Sequence, residues 1–419
     1  MAPPPRRAPL PGPAQAAIPL LLALLLGAAP AGAQDWSLIG SFSQTGELIS
    51  NIGINTDDED DEDDGLSYGS TTGLNFNLGY ETPRTQWTLG SGTRLRFFGG
   101  SEDAEGLSTF NPNARGAVSF DGGRLNLGSD FSFSRASQTF TEFDEEGGFE
   151  SDGIVIDAEA RRTNLGFGVN AGYELSARNT LGFSAGTRIV RFSENDDELD
   201  DNTTITAGVS LARVISPRTS LIFATSAQRF MADDFENSEA FSVNGTVGFQ
   251  RTVSQQLSLT GRAGLAYVET EEDVFDEFGQ IVRETDSTVS GVGGFNLSYS
   301  MPRTSFGLTF SQSVAPASTG ELRNTSTLGL SVSHRIDSIQ SVSLNSTLSR
   351  RVDVIEALDG STTDDREVFA QISPSYSISL SQDWSARVGY TLRFADSDDG
   401  DAFSNRVFLS FSRSLAIFP

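Results

Sequence analysis

Three groups of side chains are of types that could do chemistry: a single histidine, a run of carboxylates, and arginines set in alternating segments. His334 continues the apolar set Leu328, Leu330 and Val332. It is therefore expected on an apolar face, without the nucleophile or activated water that acid–base catalysis needs beside it. The run Asp57 to Asp64 (DDEDDEDD) offers hard oxygen ligands to a divalent cation. Its nearest match to a calcium loop is Asp60, Glu62, Asp64 and Gly65, yet Thr71 stands where a glutamate would close the loop. A solvated charge run is the simpler expectation, with Asp60, Glu62 and Asp64 as the metal candidates.

All 29 basic residues are arginine, and several alternate with apolar neighbours. Arg94 and Arg96 lie opposite Leu95 and Phe97. Arg262 alternates against Leu265 and Tyr267. Arg387 and Arg393 share parity with Gly389 and Thr391, opposite Val388, Tyr390, Leu392 and Phe394. Such spacing belongs to a sheet with one wet face and one apolar face. Cysteine is absent, which excludes disulfides and thiolate metal sites. Nucleotide-binding glycine motifs are missing too, so no catalytic or cofactor residues are expected.

The elements that must position these arginines read as strands. Leu74, Phe76, Leu78 and Tyr80 alternate with Asn75, Asn77 and Gly79, and the same period returns at residues 165–173, 181–185, 241–249 and 388–394. No segment carries helical periodicity. Short turn-like connections, such as Pro83-Arg84-Thr85, Asp121-Gly122-Gly123, Pro217-Arg218-Thr219 and Pro302-Arg303-Thr304, interleave with long acidic ones. The long ones lie near 56–65, 100–109, 141–152, 194–203, 231–240, 269–286, 315–326, 353–367 and 396–402. This interleaving predicts an all-β fold: a closed antiparallel transmembrane β-barrel of about 18 strands, with 16 as the alternative, short periplasmic turns and long acidic extracellular loops.

The first residues read as a secretory signal, with Arg6 and Arg7, an apolar core from Ile18 to Leu26, and a small-residue site at Ala31-Gly32-Ala33. The expected organisation is thus a signal peptide over 1–33 and a barrel over 34–419, in the outer membrane of a Gram-negative bacterium. A formal net charge of -27 argues against a nucleic-acid partner. Most of the 56 acidic residues fall in the long connections, so the rim is anionic while the wall is net cationic.

Trp36, Trp87 and Trp384 fall at the short-turn ends of their strands, as do Tyr80, Tyr173 and Tyr299. Together they are expected to form a periplasmic aromatic girdle. An arginine facing lipid at the midplane costs roughly 2 to 4 kcal/mol, so strand arginines should face a wet lumen. Arg94, Arg96, Arg262, Arg387 and Arg393 are the pore-lining candidates. They would favour anionic or polar solutes; alternatively they pair with lumen acids or anchor phosphates near the membrane interface.

The segment Leu66 to Leu89, in which an alternating strand runs into Glu81-Thr82-Pro83-Arg84-Thr85 and returns through Trp87, resembles the β-barrel porin-type outer-membrane proteins of proteobacteria. Some of these accompany exopolysaccharide secretion systems. The turn recurs as Ser216-Pro217-Arg218-Thr219 and Met301-Pro302-Arg303-Thr304. The resemblance implies an outer-membrane pore or export barrel with no catalytic residues. Expected partners are outer-membrane lipid and lipopolysaccharide, divalent cations at the acidic loops, and the barrel assembly machinery. The last recognises a terminal aromatic, here Phe418, although Pro419 follows it. Two functions are open at this point: passive diffusion of small polar or anionic solutes, or a structural or accessory barrel serving polysaccharide export or envelope integrity.

Overall fold

The computed structural model describes residues 35–50, 66–100, 109–137, 161–193, 201–233, 238–275, 281–316, 322–353, 366–397 and 400–418. The alternating segments are all strands: β1 (Asp35–Ser50), β2 (Leu66–Glu81), β3 (Thr85–Gly99), β4 (Phe110–Asp121), β5 (Leu125–Ser137), β6 (Arg161–Ser176), β7 (Asn179–Phe192), β8 (Asn202–Ser216) and β9 (Thr219–Ala232). The second half adds β10 (Glu239–Thr252), β11 (Leu257–Phe275), β12 (Ile281–Ser300), β13 (Thr304–Pro316), β14 (Leu322–Arg335), β15 (Gln340–Asp353), β16 (Arg366–Ser379), β17 (Trp384–Ser397) and β18 (Gly400–Phe418). Each pairs antiparallel with its chain neighbours, and β1 pairs with β18, closing an 18-stranded sheet. Closure leaves no open edge, which is the condition for a sheet to cross a bilayer.

The short turns follow from their residues. At Thr82-Pro83-Arg84-Thr85 the Thr82 hydroxyl accepts the Thr85 N–H at 2.9 Å, while the Thr82 N–H donates to the Thr85 carbonyl at 2.8 Å. At the β4–β5 turn an Asp121 carboxylate oxygen accepts the Gly123 N–H at 2.8 Å, and Gly123 takes a φ of 84°. Side chains that mimic a backbone acceptor, with glycine where φ is positive, make such two-residue reversals affordable.

Pairing across each ladder keeps two faces continuous around the barrel. Exposed Leu48, Tyr68, Phe97 and Val407 lie on the outer face. The opposite parity faces the lumen, and the register joins Thr71 to Arg96, Arg94 to Asn111, Arg115 to Ser132, and Gly166 to Arg188. Among the described residues, every buried apolar side chain except Tyr80 is on the lumen side, including Ile49, Val190, Phe230 and Val268. The core of this molecule therefore sits inside the barrel, in the half next to the long connections.

Two long connections are shorter than their charge suggested. Over 269–286 the strands continue to Phe275 and from Ile281, with Glu271 paired to Thr285 and Asp273 to Arg283 in register. Over 396–402 the hairpin narrows to Ser397 opposite Gly400. Acidic residues mark a loop only where a strand would meet lipid; above the bilayer a charged strand meets water on both faces and costs nothing extra.

Between β12 and β13 the ladder stops at Gly293 opposite Gln312, although both strands run on. Beyond that point Val314 packs against Phe230, Ala240, Ala266 and Val268, on the lumen face of β9 to β11. The Asn324 side-chain amide donates to the Ser290 hydroxyl at 2.9 Å. Val314 and Asn324 are register partners on the face that is outward lower down. The upper part of the β13–β14 hairpin has therefore passed inside its neighbour and laid its back on the lumen wall.

Candidate functional site in the barrel lumen

The lumen wall is the site that the strand geometry presents, and the five candidate arginines all have lumen parity. Arg393 donates from Nε to Gln371 Oε1 at 3.2 Å and is only 2% exposed. Arg387 directs Nε and Nη2 to the Ser375 hydroxyl, each at 3.1 Å. Arg96 is buried, Arg94 half-buried, and Arg262 exposed to the lumen. Arg262 lies across from two glycines, Gly248 and Gly294, whose missing side chains leave it room.

Several lumen groups escaped the sequence reading. Arg406 donates from Nε to Glu47 Oε2 at 2.6 Å, and the Thr71 hydroxyl donates to Glu47 Oε1 at 3.1 Å. Both partners of this pair are largely withdrawn from solvent, with side-chain exposures of 14% and 4%. Between Arg406 and Arg387 lies the ring of Phe408, with guanidinium carbons 5.1 and 5.7 Å from its centroid. A cation over an aromatic face is attracted by the ring quadrupole, so Phe408, with Glu47 beside it on β1, draws two positive groups together. Gly389 makes the space: a Cβ there would run into the Phe408 ring. Arg351 pairs with Glu367 at 3.4 Å, and Arg188 reaches Asn164 at 3.4 Å.

Phe408 hid this cluster because an apolar residue on the lumen face breaks the alternation used to assign faces. Parity alone would have found it, since Arg406, Phe408, Ser410 and Ser412 stand opposite Val407, Leu409 and Phe411. The infolded hairpin also left a trace, because the connection 315–326 carries a single acidic residue, Glu321, unlike the other long connections.

At the opposite end the six aromatic candidates lie on the outer face. Trp36, Tyr80 and Trp87 form one cluster across β1, β2 and β3, with centroids 4.9, 5.1 and 5.6 Å apart. Tyr173, Tyr299 and Trp384 are spaced around the rest of the barrel, and Arg413 stacks over Trp384 at 5.3 Å. His334 is on the outer face at the same end, with Nδ1 2.8 Å from the Thr304 hydroxyl. Residues 1–33 and Asp60, Glu62 and Asp64 lie outside the described residues. Among the described residues no three histidine, aspartate or glutamate side chains are placed to hold a metal ion.

A family model described as "Outer membrane protein beta-barrel domain" matches residues 20–212. No curated protein matches the chain. Among solved structures, OccAB4 of Acinetobacter baumannii is 11% identical, covering 92% of this chain and 100% of its own, with a TM-score of 0.46. OprD of Pseudomonas aeruginosa is 10% identical over 92% of this chain and 96% of its own, with a TM-score of 0.41. The siderophore receptor PirA from Pseudomonas aeruginosa is 11% identical over 90% and 80%, with a TM-score of 0.43.

Proposed function

Taking the chain as an outer-membrane β-barrel protein of the Gram-negative envelope, we propose that it is a channel for passive diffusion of small polar solutes, with a preference for anions. The observation that carries this reading is the arginine-rich lumen arc running from β15 through β18 and β1 to β7. There Arg351, Arg387, Arg393, Arg406, Arg94, Arg96, Arg115, Arg162 and Arg188 face inward, with Glu47, Asp130 and Glu367 among them and the further carboxylates Glu81, Asp121 and Glu174 confined to the periplasmic strand ends. A barrel of 18 strands has the circumference for an aqueous passage. Fixed guanidinium charges along such a passage raise the local concentration of anions and lower that of cations. The six outer-face aromatics would anchor the periplasmic interface.

A second reading, a structural or accessory barrel serving polysaccharide export or envelope integrity, is favoured by one feature. Lumen-facing side chains in the extracellular half, from Ile49 to Ser404, are withdrawn from solvent, and the β13–β14 hairpin lies inside the wall. Conductance separates the two. The refolded protein in a planar bilayer is expected to open stable channels in potassium chloride. A chain that inserts and folds yet never conducts would overturn the channel and leave the accessory barrel.

A further inference from the structure

Three outward arginines cluster where β5, β6 and β7 leave the apolar band. The register places Arg135 beside Thr163 and Thr163 beside Arg191, while Arg161 stands two residues above Thr163 on the same face. Directly below lies an aligned apolar row, Phe133, Leu165 and Ile189. From Tyr173 in the periplasmic girdle up to Thr163 is ten residues along β6. At about 3.3 Å per residue and a tilt near 40° this rises about 25 Å, the full height of the apolar band. The arginines therefore stand at the outer headgroup level, with lipid-facing side chains beneath them.

Elsewhere on the outer face at this end, two arginines come with their own counter-ions. Arg229 bridges Glu239 at 2.8 Å, and Arg283 bridges Glu271 at 3.0 Å. On β5 to β7 the balance differs: Asp201 takes Arg191 at 3.3 Å, but among the described residues no carboxylate bridges Arg135 or Arg161. A guanidinium at the headgroup boundary with no counter-ion from its own chain is stabilised by an anion presented from the membrane side. Neighbouring strands are about 4.8 Å apart, so the three Cα positions span about 10 Å, within reach of one phosphate group by long side chains.

We propose that the outer face of β5 to β7 binds a phosphorylated glycolipid of the outer leaflet, with a headgroup phosphate held by Arg135 and Arg161 and acyl chains against Phe133, Leu165 and Ile189. Arg191 stays engaged with Asp201 and frames the pocket. This site is on the lipid side of the wall and is independent of whether the lumen conducts.

The test uses the full refolded barrel in detergent and native mass spectrometry, with bisphosphorylated lipid A, its dephosphorylated form and phosphatidylglycerol as probes. Wild type should retain bisphosphorylated lipid A over either of the others. The double variant Arg135→Gln, Arg161→Gln should weaken that binding by about tenfold or more, since each lost charge-assisted hydrogen bond is worth roughly tenfold. Arg229→Gln, which removes a self-matched arginine, should leave it unchanged, and a heat-dependent gel shift checks that all three proteins are folded. Unaltered binding in the folded double variant would overturn the proposal. So would equal retention of dephosphorylated lipid A, or phosphatidylglycerol binding as tightly with the same dependence on Arg135 and Arg161.

Discussion

The two arcs of the lumen wall share one strand geometry and one parity, yet they carry different chemistry. From β15 round to β7 the inward positions hold guanidiniums, amides and hydroxyls, with Phe408 clasped between Arg387 and Arg406. From β8 to β14 the membrane-spanning stretch carries one inward arginine, Arg262, and its upper part is an apolar patch of Phe230, Ala240, Ala266 and Val268. The first arc presents charge to the lumen, and the second receives the chain's own hairpin. Sheet architecture sets which side chains face inward but not what they do there; that is decided by whether the facing groups are charged or greasy.

The difference can be broken from either side. The largest effect is expected in the charged arc, where Glu47→Gln leaves Arg406 in place without its carboxylate. Removing one member of a buried pair should cost about 3 kcal/mol, read as a lower urea midpoint of the refolded barrel. Thr288→Val, a polar loss in the other arc at the β12 position opposite Val268, should stay within about 0.5 kcal/mol. If the two variants unfold at the same urea concentration, the pair contributes no more than an ordinary lumen contact.

Next in size is Val314→Asp. A carboxylate pressed onto Phe230 and Val268 should cost about 2 kcal/mol in the docked arrangement, enough to release the hairpin. Single-channel conductance should rise while global stability changes little, and an unchanged conductance would mean that the hairpin does not narrow the passage. Gly389→Ala forces a methyl group toward the Phe408 ring, for a loss of about 1 kcal/mol and a measurable drop in the unfolding midpoint. Smallest of all, Thr304→Val removes the His334 contact at the exposed periplasmic end and should move the midpoint by under about 0.5 kcal/mol.

Much of the barrel was legible because lipid on one side and water on the other impose period two on every crossing. Arg387 and Arg393 against Val388 and Tyr390 give the face assignment directly, and the Pro-Arg-Thr turns mark strand ends. What was hidden follows from the same cause, since the constraint acts only within the bilayer. Residues 269–275 and 281–286 are strand above it, where acidic side chains cost nothing. The docking of Val314 reverses the face of a single hairpin and obeys tertiary packing rather than lipid. Phe408 looked lipid-facing by type, although its parity with Arg406 and its cross-strand partners Gly389 and Glu47 turn the ring inward.

The central claim is that the arginine arc sets selectivity, and the reversal potential of the reconstituted channel across a potassium chloride gradient tests it most directly. Wild type should show the sign of an anion-preferring pore, and the folded Arg387→Gln, Arg393→Gln variant should move toward zero, with Arg262→Gln moving it less. A cation-preferring wild type, or a double variant with an unchanged reversal potential, would contradict the account.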